Sequence, residues 1–238
     1  MPTSRRRPFV RFALGAAVVA VALVGCATPS AQEPDPSPSV SEAPSATPTP
    51  TPEPRAPTVD ELVITPDGLG TLVIGQEPSD APELRMIQFE PNWCADSHTG
   101  QDWGVADGDP NAARWVPIAA YGPDGAAPWG VSVLDGVLER IDIFDESIPT
   151  DLGIRIGDSR EAALDAYSEF PVSDQEITQV IVVPGDHGVL HVEIASGSGD
   201  WGSYWGDLAD TVVYLRAVTL DFGVFTVAAS ENIAGGCL

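Results

Sequence analysis

The sequence predicts an α+β fold: antiparallel sheet with one or two helices packed on one face. Three observations carry this. One pair of alternating apolar runs is joined by a turn dipeptide, a second pair by a longer turn-forming loop, and a single stretch has helical spacing. The first pair is Val131 to Leu134 and Val137 to Phe144, joined by Asp135-Gly136, a dipeptide suited to positive φ. The second is Ile177 to Val183 and Val189 to Ala195, joined across Pro184-Gly185-Asp186-His187-Gly188. Further strands are expected at Arg114 to Tyr121, Thr211 to Leu220 and Phe222 to Ala229. The best helix runs from Ser159 to Glu169, with Asp158 as its cap and Glu161 closing a capping box. Ala163, Ala166, Tyr167 and Phe170 give it an apolar stripe. A weaker helix is expected over Ala81 to Phe89, with Pro82 in its first turn.

These elements occupy residues 58–238, and what precedes them has a different composition. Arg5-Arg6-Arg7 and Arg11 introduce an apolar run from Phe12 to Val24, and Gly25-Cys26 follows. The run is shorter than the roughly 20 residues a membrane span takes. The layout resembles a bacterial lipoprotein signal peptide over residues 1–25. What the resemblance implies is cleavage before Cys26, whose sulfur carries a diacylglycerol and holds the chain on the outer face of the cell membrane. Val24 departs from the Ala or Ser more usual there, and Ala20-Val21-Ala22 leaves an ordinary secretory cleavage as the alternative.

From Ala27 to Pro57 stand ten prolines and nine Ser or Thr, with no aromatic residue. With Cys26 this makes a 26–57 linker that cannot bury enough apolar surface to offset its ordering entropy, so it is expected to be disordered. Stretched at ~3.1 Å per residue, it reaches on the order of 100 Å, a spacer suited to crossing a cell wall. Ser/Thr-Pro content of this kind also suits glycosylated stalks.

The chain has no lysine. Beyond the signal, seven arginines face 35 acidic residues, a net charge of −28. Such a surface repels phosphate backbones, so nucleic acid is excluded as a partner. Lipidation of Cys26 leaves Cys94 and Cys237, and in an oxidising compartment the expectation is one disulfide between them. A bridge closing so long a loop constrains the unfolded chain by roughly 4–5 kcal/mol on a chain-entropy argument. A buried thiol or a catalytic cysteine are the alternatives.

Leu69-Gly70-Thr71-Leu72-Val73-Ile74-Gly75 recurs, one residue shorter, as Leu152-Gly153-Ile154-Arg155-Ile156-Gly157. Val137-Leu138-Glu139-Arg140 before Asp145 echoes Val213-Tyr214-Leu215-Arg216 before Asp221. Order and spacing suggest a tandem duplication of a helix-plus-hairpin unit, as repeats 58–148 and 149–238. The unit resembles the tandem module of β-lactamase-inhibitor-like and small envelope-assembly lipoproteins. That resemblance implies a binding or inhibitory surface on a curved sheet, without catalysis. The tract from Ala95 to Ala112 departs from it, reading as a long loop.

Several constellations bear on chemistry. Asp107-Gly108-Asp109-Pro110-Asn111 begins like a calcium loop, but Ala112 and Ile118 stand where a turn glycine and a bidentate acid are required. Asp96-Ser97-His98 juxtaposes triad residue types, although triads are assembled from distant segments. His187, His191 and Glu193 alternate, as zinc ligands on one strand face would, with His187 expected in the turn. Trp201, Tyr204 and Trp205 sit in a polar Gly/Ser/Asp segment where aromatic faces could contact a sugar or a protein partner, or fold back over the core. No nucleotide, hydrolase or metalloprotease motif is present, and no catalytic residue, cofactor or metal ligand is assigned. The function expected is a non-enzymatic, lipid-anchored binding or interaction module whose partner is an envelope protein or cell-wall component. A carbohydrate binder and a surface hydrolase are the alternatives.

Overall fold

A computed structural model describes residues 53–102, 104–122, 127–230 and 232–237. The signal segment, Cys26 and the linker up to residue 52 lie outside the described residues. Eleven short strands assemble into three antiparallel sheets among the described residues. Strands β1 (Ile64–Thr65), β2 (Gly68–Leu69) and β3 (Leu72–Val73) form a small meander. Strands β4 (Ile87–Glu90) and β5 (Arg114–Pro117) form a separate hairpin. The main sheet has six strands: β6 (Trp129–Leu134), β7 (Val137–Ile143), β8 (Val172–Asp174), β9 (Thr178–Pro184), β10 (Gly188–Ala195) and β11 (Val212–Thr219). Their order is β6-β7-β11-β10-β9-β8. Both expected hairpins are present, and Asp135 (φ 53°) and Gly136 (φ 83°) supply the left-handed turn between β6 and β7.

Helix α1 spans Asp96–Thr99, α2 Arg160–Ala166, α3 Gly199–Trp205 and α4 Val227–Ser230. The expected 159–169 helix is α2, shortened, and its cap is Ser159, whose hydroxyl accepts from the Ala162 amide at 3.2 Å. Asp158 instead accepts from the Arg155 amide at 2.8 Å. Ala163 and Tyr167 are buried, and Ala166 and Phe170 pack against the same core. Two expectations need correction. Residues 81–89 make no helix: a turn precedes β4, because pairing of Ile87 with Pro117 and of Phe89 with Trp115 captures the segment as strand. Residues 222–229 are not a strand, since the chain after β11 turns back across the sheet and enters α4.

Alternation gives the main sheet two unlike faces. Ile141, Ile143, Leu215, Ala217, Leu190, Val192, Ile194, Ile181 and Val183 point into one core with Tyr167, Leu62, Ile64 and Leu69. The last residues of the expected linker are tied to the domain. The Ala56 amide donates to Glu83 O at 2.6 Å, and the Tyr121 hydroxyl donates to Pro57 O at 2.8 Å.

Candidate functional site

The second face of the main sheet carries charge. Asp142, Arg216 and His191 are successive cross-strand partners on β7, β11 and β10, and Gly130 of β6 is paired with Asp142. Arg140 and Glu193 stand two residues along on the same face. All five side-chain-bearing polar residues are buried, from 1% exposed for Asp142 and Arg216 to 6% for Arg140. The chain from Asp221 to Cys237 covers this face as a strap, and the buried charges hold its backbone. Arg216 forks onto Asp142 with bonds of 2.6 and 3.2 Å, and its remaining donors reach Phe225 O at 3.0 Å and Asn232 O at 3.1 Å. Asp142 in turn accepts from the Ala234 amide at 2.7 Å. Glu193 caps α4, accepting from the Val227 and Ala228 amides at 2.9 and 3.2 Å, and from the Thr178 hydroxyl at 3.1 Å.

Burial dominates the electrostatics of the row. It pulls His191 down to about 4, with the Arg216 charge pushing the same way and Asp142 opposing. Burial raises Glu193, partly offset by the strap amides that it caps. Arg140 is likewise lowered by burial, against the pull of Asp142. His191 Nδ1 and Arg140 Nε have no hydrogen-bond partner among the described residues.

The strap ends by threading between the β4–β5 hairpin and the edge strand β6. Gly235 takes φ 75° there, within ordinary contact distance of Val131 and Trp115. Cys94 and Cys237 form the expected disulfide, which fastens the strap's end to the segment after β4. Between hairpin, edge strand and strap lies a cleft of about 600 Å³, lined by Phe89, Pro110, Arg114, Trp115, Val131, Ser132, Val133, Arg140, Asn232 and Ile233 among others. Among the described residues no acid lines it. Arg114 donates, among the described residues, to carbonyl oxygens of Gly236, Asn111 and Ala113, at 3.0, 2.8 and 2.8 Å. Arg140 donates to Asn232 Oδ1 at 3.1 Å and shares Asp142 with Arg216, its Nε 3.5 Å from the carboxylate.

Against known proteins, the chain stands without a match. No family model, no curated protein and no solved structure matches it significantly.

The residues singled out in the sequence are scattered. Ser97 hydrogen-bonds Asp107, and His98 lies against Trp93 with ring centroids 4.9 Å apart, so Asp96-Ser97-His98 is not assembled as a relay. Asp109 accepts from the Asn111 amide at 2.8 Å and caps a short 3₁₀ turn. His187 lies in the β9–β10 turn, where its amide donates to Asp67 at 2.6 Å, while His191 and Glu193 are buried under the strap. Among the described residues no three His, Cys, Asp or Glu side chains converge on a metal position. Trp205 is half-buried and donates from Nε1 to Ile177 O at 2.7 Å, closing the end of β9. Trp201 and Tyr204 remain exposed on α3, stacked edge-to-face at 6.0 Å.

Arg114 and Arg140 were not among the residues expected to carry a site. The available signal was Arg140-x-Asp142, two charges on one face of an otherwise aliphatic strand.

Proposed function

We propose that the protein is a lipid-anchored, extracytoplasmic binding module, held by Cys26 on the outer face of the membrane and displayed on a proline-rich spacer. The binding site is the cleft between the β4–β5 hairpin, β6 and the strap. One observation carries this reading. In a chain with more than three acids for each basic residue, this cleft of about 600 Å³ has two arginines and no acid among its described lining residues, and its walls include Phe89 and Trp115. A strap fixed by buried ion pairs and a disulfide presents that cleft preformed, which lowers the ordering cost of binding.

A tandem origin fits the same picture. In both halves the Gly-ended motif pairs with a strand of the main sheet: Gly75 N donates to Leu138 O at 2.8 Å, and Gly157 N to Val212 O at 2.8 Å. Each half then runs through four strands, β4 to β7 and β8 to β11, although β4–β5 forms its own sheet and the first half has no counterpart of α2 before its strands. This order supports the duplicated envelope-module reading, with β7 and β11 side by side where the two copies meet.

The exposed Trp201–Tyr204 pair favours a second reading, a cell-wall carbohydrate contact on α3. Thermal denaturation of the purified protein against soluble peptidoglycan fragments and small organic ligands separates the two, because a ligand of the native state alone raises the melting temperature. A shift abolished by Ser132→Trp, which fills the cleft, supports the module as proposed. A shift abolished only by Trp201→Ala with Tyr204→Ala moves the site to α3. For the anchor, Cys26→Ser transfers the protein from membrane to medium; retention in the membrane overturns it.

A further inference from the structure

We infer that the cleft takes an organic carboxylate with an apolar body, bound through Arg114 and Arg140. The inference rests on the cleft being the binding site and adds the class of its ligand.

Charge balance is the first argument. Arg140 and Arg216 are both buried and both lie against Asp142, while Glu193, the other acid of the row, spends its oxygens on the Thr178 hydroxyl and the Val227 and Ala228 amides, so two guanidiniums share the Asp142 carboxylate. Arg216 gives four of its five N–H groups to both Asp142 oxygens and two strap carbonyls. Arg140 is the unbalanced member. It lines the cleft, hydrogen-bonds a single neutral amide among the described residues, and its buried Nε meets the shared Asp142 carboxylate only at 3.5 Å, too long for a well-formed hydrogen bond. A buried cation left in this state is costly, and an anion in the cleft relieves the cost. Arg114 adds a second positive charge on the same lining, and no carboxylate among the described residues pairs with it.

The walls decide which anion. Phe89 and Trp115 pack edge-to-face with centroids 5.8 Å apart, and Pro110, Val131, Val133 and Ile233 complete an apolar lining. A bare phosphate or sulfate would lose its hydration shell against these side chains and gain little from them. A carboxylate attached to an aliphatic or aromatic group uses both parts: a planar two-oxygen head for a guanidinium fork, and an apolar body for the Phe89–Trp115 wall. Ser132 and Asn232 stand on the same lining as neutral hydrogen-bonding groups. Arginine in place of lysine, in a chain wholly without lysine, keeps this head-group site charged at every physiological pH.

The experiment uses matched probes on the intact, disulfide-bonded protein, followed by Trp fluorescence and calorimetry. N-acetyl-leucine and N-acetyl-phenylalanine are compared with their uncharged C-terminal amides and with phenyl phosphate. The expected result is that each acid binds at least tenfold more tightly than its amide, and more tightly than phenyl phosphate. Arg114→Gln, which leaves the Asp142 ion pairs in place, should erase most of the acid–amide difference while amide binding persists. Arg140→Gln should do the same provided its circular dichroism is native. Equal binding of acid and amide overturns the carboxylate inference and leaves the cleft as a binding site. Tighter binding of phenyl phosphate overturns it in favour of a phosphate ester. If no probe binds and Ser132→Trp changes no ligand response of any kind, the cleft reading itself falls, and the inference falls with it.

Discussion

One face of the six-stranded sheet is covered through aliphatic contact and the other through charge. On the first, Ile141, Leu190 and Leu215 meet Tyr167 and the β1–β3 meander, and the cover is held by area removed from water. On the second, Asp142, Arg216 and Glu193 hold a nearly irregular strap by its amides and carbonyls. The apolar cover tolerates small shifts, since hydrophobic contact is non-directional. The strap does not, because each of its bonds has a fixed donor and acceptor. A surface that must present a cleft of defined shape is better built on the second kind of contact. Hydrogen-bonded charge contributes registry more than net stability.

The comparison breaks most severely at Asp142. Asp142→Ala leaves Arg216 and Arg140 buried without a counter-charge and the Ala234 amide without an acceptor, at a cost of about 3–5 kcal/mol. Ile141→Ala, its neighbour on the opposite face, costs a similar 2–5 kcal/mol through the cavity it leaves. Urea unfolding alone does not distinguish them, but hydrogen exchange does. The Asp142 variant should free the Ala234 amide before the sheet opens, whereas the Ile141 variant should lower protection throughout. Asp142→Leu combined with Arg140→Met and Arg216→Met removes the whole ion-pair group and should recover much of the global stability while still leaving the strap unprotected.

A pH change sharpens the contrast, because only the charged face titrates. His191 is held at about 4 in the folded protein, against an unfolded value near 6.5. The unfolded chain therefore binds more protons between these values, and stability rises with pH across that window. The contribution is complete above about 6.5 and is lost as pH falls toward 4, amounting to about 3 kcal/mol at 1.36 kcal/mol per pKa unit. Glu193 acts in the opposite sense: its raised value favours the folded state at low pH, a benefit lost as pH rises through it. The clean quantity is the difference between the parent and His191→Gln in urea titrations from pH 4 to 7. A flat difference would mean that His191 is solvated.

Much of the apolar face was legible in the sequence, since alternation and an Asp-Gly turn specify β6, β7 and their register with local information. The disulfide was legible by counting. The charged face was not. Arg140, Asp142 and Arg216 are brought together by the β7–β11 pairing, 74 residues apart in sequence for Asp142 and Arg216. The strap has the composition of a strand, Phe222 to Ala229, and is diverted because Glu193 offers its amides a cap that no local pattern announces. The Ala81–Phe89 helix failed for the same reason, its residues being captured by a partner strand more than twenty positions away. The cleft inherits this illegibility: its lining comes from a hairpin, an edge strand and the chain terminus.

The finest test of the contrast is a single methyl group. Gly130 lies in the charged row beside Asp142, and the strap passes directly over it. A Cβ at this position would stand 2.2 Å from Ala234 O and 3.0 Å from the Phe144 ring. Backbone cannot give way as a side chain can, so the Ala234 carbonyl would have to move, together with the adjacent amide that Asp142 accepts from. Gly130→Ala should therefore cost about 1–3 kcal/mol as an overpacked contact, although alanine is favoured over glycine in a strand. The loss should appear at the strap, as faster exchange of the Ala234 amide and a weakened ligand response in the cleft, with β9–β10 protection intact. A cost spread evenly over the sheet would mean that the strap follows the sheet passively, and the distinction between the two covers would not stand.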